Sequence, residues 1–264
     1  MPAAARRRRP LSIIYTSYNE RDIIGRSLAS VADWSDDLTV VDSYSTDGTA
    51  ELLAETAGVN MVQREYRGPS DQKNWAIVRA RHEYILLLDA DEIVTPALRA
   101  EIDTLLAAPE LLDAYWIGRD NHFMGRRIYH SGWAGDKVVR FFHRDRARYD
   151  SKQVHEEIEL AGLRVGKLQG RLLHYTFKDL DHFLDKTRRY ARWSARDHAA
   201  RTPRVGVYHL LVKPVYRFCK HYLIQGGFRD GREGLVISMV LSYGVFLRYA
   251  YLLADRRKSS SLQP

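Results

Sequence analysis

Two aspartates one residue apart, Asp89 and Asp91, follow a run of five apolar residues, Tyr84 to Leu88. Hard divalent cations such as Mg²⁺ and Mn²⁺ prefer oxygen ligands, and one or two carboxylates leave room for diphosphate oxygens and water. A third carboxylate, Asp42, ends an earlier apolar run, where it is able to accept hydrogen bonds from a ribose or a base edge. Each acid alone is also typical of a solvated turn, but the three together predict a site for a nucleoside diphosphate and a metal ion.

The elements that must position these acids alternate along the first hundred residues. Each apolar strand is followed by a helical pattern, with Ser70 as the expected cap of one helix and Thr95-Pro96 opening another. This alternation predicts a parallel sheet covered by helices, with ligands beyond the carboxyl ends of the strands. The predicted strands are Leu11–Thr16, Leu38–Val41, Asn60–Gln63 and Tyr84–Leu88.

Polar side chains follow three of the four predicted strands. They lie at Thr16 to Glu20, at Asp42 to Asp47 and at Asp89 to Glu92. Because the carboxyl ends of parallel strands share one edge of a sheet, we expect these segments to converge. The sequence therefore predicts one polar rim rather than three separate acidic turns.

Four motifs resemble the family 2 glycosyltransferases in both order and spacing: TSYNE (16–20), VVDSYSTDGT (40–49), QKNWA (72–76) and LLLDADE (86–92). The resemblance continues through KVVRFFHR (137–144) and VHEEI (154–158), and HYTFKDLDHFLDKTRRY is similar to the branch that builds the lipopolysaccharide inner core, often described as β-1,4-glucosyltransferases. It implies the α/β GT-A fold: a Rossmann-like, mixed and mostly parallel sheet with flanking helices, here with a helical, basic C-terminal extension.

The resemblance also implies roles for residues at the strand ends. Asp89 and Asp91 would hold a Mg²⁺ or Mn²⁺ ion and the diphosphate, and Glu20 would contact the nucleoside. Asp47 has the alternative role of a helix cap, Lys73 that of a surface lysine, and Arg140 that of a solvent-facing strand residue. The implied nucleotide-sugar-binding residues are Thr16, Asn19, Glu20, Asp42, Asp47, Lys73, Asp89 and Arg140.

Family 2 enzymes invert the anomeric centre in one displacement, in which a carboxylate takes the proton of the acceptor hydroxyl. The alternation of Val154, Glu156 and Ile158 indicates that Glu156 faces inward if this segment is a strand, so Glu156 is the favoured base. Glu157 is the second candidate and Asp136 a third. The neighbouring His155 would orient the base or contact a phosphate group, or it is a structural histidine without a role in the reaction.

Composition and charge limit the remaining possibilities. The 264 residues carry a net charge of +8, which suits a partner with phosphate or anionic lipid. The single cysteine, Cys219, excludes an internal disulfide and a multi-cysteine zinc site within this sequence. We expect a disordered basic tail over 1–10, a catalytic domain over 11–178, and a helical region over 179–264 that associates with a membrane.

The C-terminal region combines basic and apolar residues in the manner of an interfacial amphipathic helix. Pro214 should kink or divide one helix. The apolar run from Leu235 to Leu253 approaches the length of a membrane span, but it contains Arg248 and is followed by DRRK. A buried helix or one that lies in the membrane plane is therefore favoured over a span.

These observations predict a metal-dependent, inverting transferase that moves a sugar, from a UDP-sugar by preference, to a lipopolysaccharide-core or related glycolipid acceptor. It would act as a peripheral protein on an anionic membrane surface, at the cytoplasmic face of the bacterial inner membrane. The alternatives are a polyprenyl-phosphate glycosyltransferase and a catalytically inactive sugar-nucleotide binder. A nucleic-acid-binding protein is disfavoured, because the acids converge on one rim and no recognition motif is present.

Overall fold

The computed structural model describes residues 8–150 and 157–261, with side chains up to residue 257. The chain divides into two compact units, Met1–Asp120 with Gly135–His174, and Asn121–Ala134 with Tyr175–Pro264. The first unit thus ends at His174, near the boundary expected at 178. Residues 121–134, which the sequence places in the catalytic domain, fall in the second unit.

The first half of unit 1 is the predicted parallel sheet with a helix after each of its first three strands. The strands lie in the spatial order β3-β2-β1-β4, and all three of these pairings are parallel. This order follows from the alternation of apolar strands and helices and confirms the expected α/β class. The elements are β1 (Leu11–Ser17), α1 (Ile24–Ala29), β2 (Asp37–Asp42), α2 (Thr49–Glu55), β3 (Val59–Gln63), α3 (Pro69–Ile77) and β4 (Tyr84–Asp89).

Antiparallel strands extend the sheet beyond β4 and make it mixed. The order continues β4-β8-β6-β9-β5, with β8 antiparallel to both β4 and β6, β5 antiparallel to β9, and β7 paired to β6. The expected mixed sheet is therefore confirmed. The elements are β5 (Glu92–Val94), α4 (Pro96–Ala107), β6 (Ala114–Phe123), β7 (Arg126–Arg127), β8 (Lys137–His143) and β9 (Val165–His174).

The parallel strands are buried on both faces, as their apolar sequences predict. Successive side chains point to opposite faces, so each strand supplies two apolar layers. One layer holds Leu11, Ile13, Tyr15, Leu86 and Leu88 with residues of α1 and α4, and the other holds Ile14, Val41, Ile85 and Leu87 with Ala76 and Ile77 of α3. Burying each large aliphatic side chain contributes about 1.5–3 kcal/mol, which fixes the strand ends that carry the acids.

Helix starts test two of the local predictions. The Thr95 side chain accepts a hydrogen bond from the Leu98 backbone N–H (3.2 Å), with Pro96 as the first helical residue, so this cap is confirmed. The prediction that Ser70 caps α3 is wrong. That helix begins at Pro69, which precedes Ser70, and its N-cap is Gly68. Proline suits the first helical position, and Gly68 adopts the positive φ of 128° that the chain needs just before it.

Two residues of the expected basic tail are attached to unit 1. Arg8 donates to the Trp34 carbonyl (2.7 Å), and the Arg9 guanidinium donates to the Pro109 carbonyl (2.7 Å). Arg8 and Arg9, which fall within the disordered tail expected over 1–10, are therefore held in place. Their guanidinium groups donate hydrogen bonds to backbone carbonyls at the ends of neighbouring elements. Residues 1–7 lie outside the described residues.

Unit 2 is helical, as expected for the C-terminal region. It contains α5 (Leu180–His198), a continuous run from Tyr208 to Ile224 with α6 (Lys213–Cys219) between two π turns, a 3₁₀ turn (Gly227–Asp230) and α7 (Gly231–Ser261). Pro214 lies in the first turn of α6, and the turn before it closes by a wider hydrogen bond from Lys213 N to Tyr208 O. The backbone angles stay helical, so the effect of the proline is this change of hydrogen bonding within a continuous run.

One helix within the described residues, Gly227–Arg257, is long and apolar enough to cross a bilayer by length and composition. Only 28% of its most apolar stretch is buried inside the protein. Length and composition therefore leave open both arrangements weighed from the sequence.

The contact between Gly170 of β9 and α4 gives a stability test. A Cβ at Gly170 would lie 2.4 Å from Leu98 Cα and 2.7 Å from Leu98 N, and these backbone atoms cannot move aside as a flexible side chain does. We expect Gly170→Ala to lower the free energy of unfolding by about 1–3 kcal/mol. Gly206→Ala is the control, because nothing lies within 4 Å of its Cβ position, and it should cost about 0.5 kcal/mol or less in the same urea denaturation experiment. Equal effects of the two substitutions would contradict this packing.

Candidate active site

Strand register brings the predicted polar segments to one rim. Thr16 of β1 lies opposite Val41 of β2 on one side and opposite Asp89 of β4 on the other. One residue further along, Ser17 lies opposite Asp42. The ends of the three central strands therefore carry Thr16, Asp42 and Asp89 side by side, as the sequence predicts.

Asp42 is fully buried, and its carboxylate is used inside the protein. The Ser17 hydroxyl donates to Oδ1 (3.1 Å), and the Ser45 backbone N–H donates to Oδ2 (2.9 Å). These bonds hold the loop that follows β2 against the end of β1, and each is worth more than usual because the acceptor is charged. A direct contact between Asp42 and the nucleoside stays a prediction.

The loops after β1 and β2 are joined by hydrogen bonds. Asn19, which has a left-handed φ of 57°, accepts from the Thr46 backbone N–H (2.8 Å) and donates its own N–H to Ser45 Oγ (2.9 Å). The backbone N–H of Glu20 donates to the Thr49 hydroxyl (2.9 Å). Asn19 and Glu20 are thus placed at the rim, and their predicted contacts with the nucleotide are untested.

Asp47 acts at the start of α2. Its carboxylate accepts from the Thr49 backbone N–H (3.0 Å) and the Arg21 backbone N–H (3.1 Å). Slight burial opposes ionisation, but these bonds and one from the Thr49 hydroxyl lower the pKa of Asp47. The N-cap of α2 is Gly48, so the alternative of Asp47 as the helix cap is wrong, because Asp47 lies one residue further out and its bonds hold the turn before the helix. Its role beside the nucleotide stays a prediction.

Asp89 lies between two cations. Its Oδ1 is 3.3 Å from Lys73 Nζ, and its Oδ2 accepts a hydrogen bond from Arg140 Nη2. Burial alone would raise the pKa of Asp89, but Arg140 and Lys73 outweigh it and hold the pKa well below the usual value. Lys73 is only 5% exposed, so the alternative of a surface lysine is wrong, because α3 turns this side chain toward the end of β4.

Arg140 of β8 is the centre of the site, with only 4% of its surface exposed. Its Nε donates to Glu92 (3.0 Å) and its Nη1 to the Tyr149 hydroxyl (3.0 Å), in addition to the bond with Asp89. The alternative of a solvent-facing strand arginine is wrong, because β8 lies next to β4 inside the sheet and not at its edge. Desolvation opposes the charge, yet the two carboxylates raise the pKa of Arg140 well above its usual value.

Two further charged residues join this network, Glu92, which was expected at the rim without a role of its own, and Arg119, which was not predicted. Glu92 is fully buried, and its Oε1 also accepts a hydrogen bond from Nη1 of Arg119 of β6 (3.2 Å). Arg119 in turn donates to both oxygens of Asp136, at 2.9 and 3.0 Å. The acidic run DADE signals Glu92, but Arg119 carries no local signal, because only the pairing of distant strands brings it to the end of β4.

Asp91 has a different environment from Asp89. Its Oδ2 lies 3.4 Å from Nε2 of His174, the last residue of β9. The antiparallel register of β5 and β9 sets Glu92 opposite His174, which carries the imidazole to the carboxylate just before β5. His174 was not predicted as a site residue, although it lies in the HYTF motif that carries part of the resemblance.

The donor atoms around Asp91 fit a divalent ion in part. No group of three or more His, Cys, Asp or Glu residues able to hold a metal occurs within 8–150 and 157–257. Asp91 and His174 would supply one carboxylate oxygen and one imidazole nitrogen, a set compatible with Mn²⁺ when diphosphate and water complete the shell. Asp89 already faces Lys73 and Arg140, so its predicted ligation of the metal would compete with two ion pairs.

The candidate bases are placed only in part. The favoured base, Glu156, lies outside the described residues, as does His155. Glu157 is exposed while Ile158 is buried, which agrees with the predicted alternation. Both oxygens of Asp136 accept guanidinium N–H groups from Arg119, so this carboxylate is already engaged inside the protein.

Removal of Arg140 would leave two carboxylates without their main partner in a buried place. We expect Arg140→Gln to lower the free energy of unfolding by about 3–5 kcal/mol, the usual cost of breaking a buried pair. Arg188→Gln is the control, since that side chain pairs with Asp185 on the surface of α5, and we expect little change. Chemical denaturation at neutral pH measures both, and a small effect of Arg140→Gln would show that the network is not essential to the fold.

The depressed pKa of Asp89 predicts how stability depends on pH. The ionised carboxylate stabilises the fold fully above its unfolded pKa of about 3.9, and this contribution is lost as the pH falls toward the lower folded pKa. The free energy of unfolding should therefore fall more steeply in acid for the wild-type protein than for Asp89→Asn. Urea titrations at a series of pH values below neutrality measure both slopes, and identical slopes would contradict the ion pairing of Asp89.

Comparisons with known proteins find relatives that extend over most of this chain. LpsC of Rhizobium meliloti, a lipopolysaccharide core biosynthesis glycosyltransferase, is 28% identical to this chain over 246 residues, with 91% of each chain covered. An uncharacterized glycosyltransferase of Rickettsia typhi is 25% identical over 263 residues, covering 96% of this chain and 89% of that one. The chain thus matches relatives over nearly their whole length.

A solved structure shares the fold. The mannosyltransferase PcManGT from Pyrobaculum calidifontis, solved with GDP-Man and Mn²⁺, superposes with a TM-score of 0.50 at 17% identity, covering 98% of this chain and 89% of that one. This likeness supports the GT-A fold of the chain, as expected. The model of the family described as glycosyl transferase family 2 matches residues 12–166. Since that match covers more than half of the sequence and includes the whole rim from Thr16 to Arg140, the chain belongs to glycosyl transferase family 2 and is a glycosyltransferase that acts on nucleotide sugars.

Proposed function

We propose that this glycosyltransferase inverts the anomeric centre and moves a sugar from a UDP-sugar to a lipid-linked saccharide acceptor of the lipopolysaccharide-core type. The observation that carries the proposal is the placement of Asp89 beside Lys73 and Arg140 at the end of β4, with Asp91 next to His174 two residues on. The full-length similarity to a lipopolysaccharide core glycosyltransferase supports the class of acceptor.

Lys73 and Arg140 give the strand end its positive charge. Both cations are buried and held by carboxylates, so they are already oriented where the diphosphate of a donor is expected. Preorganised charge of this kind stabilises a departing diphosphate without reorganisation. Asp91 and His174 would hold a Mn²⁺ or Mg²⁺ ion, which when bound supplies further positive charge to the leaving group.

The acceptor side requires a base. In the proposed reaction the Glu156 carboxylate takes the proton of the acceptor hydroxyl, the hydroxyl oxygen bonds to the anomeric carbon, and the bond from that carbon to the diphosphate breaks. Glu157, whose side chain is exposed, is the second candidate.

The helical run of unit 2 supports a peripheral membrane location, which we propose to be the cytoplasmic face of the bacterial inner membrane. Side chains at i, i+3, i+4, i+7 and i+8 along this run are large, apolar and at least half exposed: Tyr208, Leu211, Val212, Val215 and Tyr216. A soluble surface seldom shows such a stripe, and an anionic lipid interface would cover it.

We propose that α7 lies along this interface and does not cross it. Its buried face packs on α5, where Thr187 lies against Gly244 and Arg192 lies over the ring of Tyr251 (4.6 Å). A transmembrane α7 would carry the charged helix α5 into the hydrocarbon, at a high cost per charge. An in-plane α7 avoids that cost.

The acceptor assignment predicts which substrates turn over. We expect sugar transfer from a UDP-sugar to a purified lipopolysaccharide-core glycolipid with Mn²⁺ or Mg²⁺ present, and an inverted anomeric configuration in the NMR spectrum of the product. Transfer to a bare polyprenyl phosphate instead would support the alternative enzyme. Binding of a sugar nucleotide with no transfer to any acceptor would support an inactive binder.

The two neighbouring glutamates give a matched pair of variants for the base. We expect Glu156→Gln to lower kcat about 10²–10⁴-fold, because general base catalysis is lost, while the KM for the donor changes little. Glu157→Gln removes the same charge one residue away and should keep most of the activity. The opposite order of effects would assign the base to Glu157.

A further inference from the structure

Two arginines of unit 2, Arg217 on α6 and Arg248 on α7, lack partners for buried donors. The Nε atom of each is shielded from solvent and has no hydrogen-bond partner among the described residues. A buried N–H of a charged group is costly when it donates to nothing. Two such donors on neighbouring helices therefore indicate a missing acceptor.

The electrostatics of the pair point to an anion. Desolvation and the like charge of Arg248 together lower the pKa of Arg217, so the two guanidinium groups are close enough to repel each other. Neither arginine forms an ion pair with any acidic residue in the described part of the chain. A doubly negative or bidentate ligand would relieve the repulsion and accept both Nε protons.

Nearby acidic residues do not neutralise the pair. Residues 205–229 contain four basic residues and no Asp or Glu. The first acids that follow are already engaged, since Asp230 accepts from the backbone N–H groups of Tyr129 and His130, and Glu233 pairs with Arg126. Unit 2 thus keeps a positive site open along α6.

The surface around the pair identifies the source of the anion. The helical run that carries Arg217 also exposes Tyr216 (62%), Val215 (60%) and Leu211 (60%). A free phosphate ion would leave this apolar stripe exposed to water. A phospholipid presents a phosphate and hydrocarbon together, so it would contact both the arginines and the stripe. The charge and the apolar surface therefore complement the same kind of molecule.

We propose that Arg217 and Arg248 form a binding site for the phosphate group of a membrane lipid. The two guanidinium groups donate hydrogen bonds to the phosphate oxygens, while the exposed residues of the 208–224 run contact the acyl region. This site rests on the proposed membrane location but not on the proposed sugar transfer, because both of its arginines belong to unit 2 while the acids at the strand ends belong to unit 1.

Vesicle binding tests the site without catalysis. We expect the wild-type protein to bind vesicles of phosphatidylglycerol and phosphatidylcholine, and Arg217→Gln/Arg248→Gln to bind them at least about tenfold more weakly. Arg201→Gln/Arg204→Gln removes the same charge from exposed positions of unit 2 and should change the affinity less than about twofold. Equal losses in both double variants would overturn the site in favour of diffuse attraction.

A second measurement uses the unaltered protein, in case the double variant fails to fold. Isothermal titration compares dihexanoyl phosphatidic acid with inorganic phosphate, and we expect at least about tenfold tighter binding of the lipid. Equal affinity for the two would overturn the assignment to a lipid, and no binding of either would overturn the site. Sugar transfer to a soluble acceptor is measured in parallel on the same protein. An absence of transfer would count against the proposed function alone and would leave the lipid site standing.

Discussion

The candidate active site depends on one buried positive charge, the Arg140 guanidinium between Asp89 and Glu92. A guanidinium that is almost fully buried is stable only with carboxylates beside it, and the buried carboxylates in turn need its positive charge. This mutual requirement fixes the end of β4 against β8 and orients Asp89 toward Lys73. Asp91, two residues on, lies beside His174 instead.

Much of the fold followed from local features of the sequence. The apolar strands, the Gly- and Ser-rich turn after Asp42 and the Thr95-Pro96 helix start are determined by neighbouring residues, so they could be predicted. Arg119 and His174 could not, because strand pairings between distant parts of the chain bring them to the rim. Solvent-facing alternatives for Lys73 and Arg140 failed for the same reason: burial depends on tertiary packing.

The two units face different physical demands. Unit 1 uses paired charges to preorganise a polar site, and its cations are matched by carboxylates within hydrogen-bonding distance. Unit 2 shows apolar side chains along Tyr208–Ile224 and keeps two arginines unmatched. Surfaces of this second kind are stabilised by a partner outside the chain, which is why the proposed partners of unit 2 are a membrane and its lipid phosphates.

The central claim is that the acids at the strand ends form a metal-assisted nucleotide site. Isothermal titration with UDP, ADP and GDP, each with and without Mn²⁺, tests it most directly in the wild-type protein and in Asp91→Ala. The account predicts that one nucleotide binds, that Mn²⁺ strengthens the binding, and that Asp91→Ala abolishes the effect of the metal. Failure of all three nucleotides to bind under any condition would contradict the assignment of this rim as the donor site.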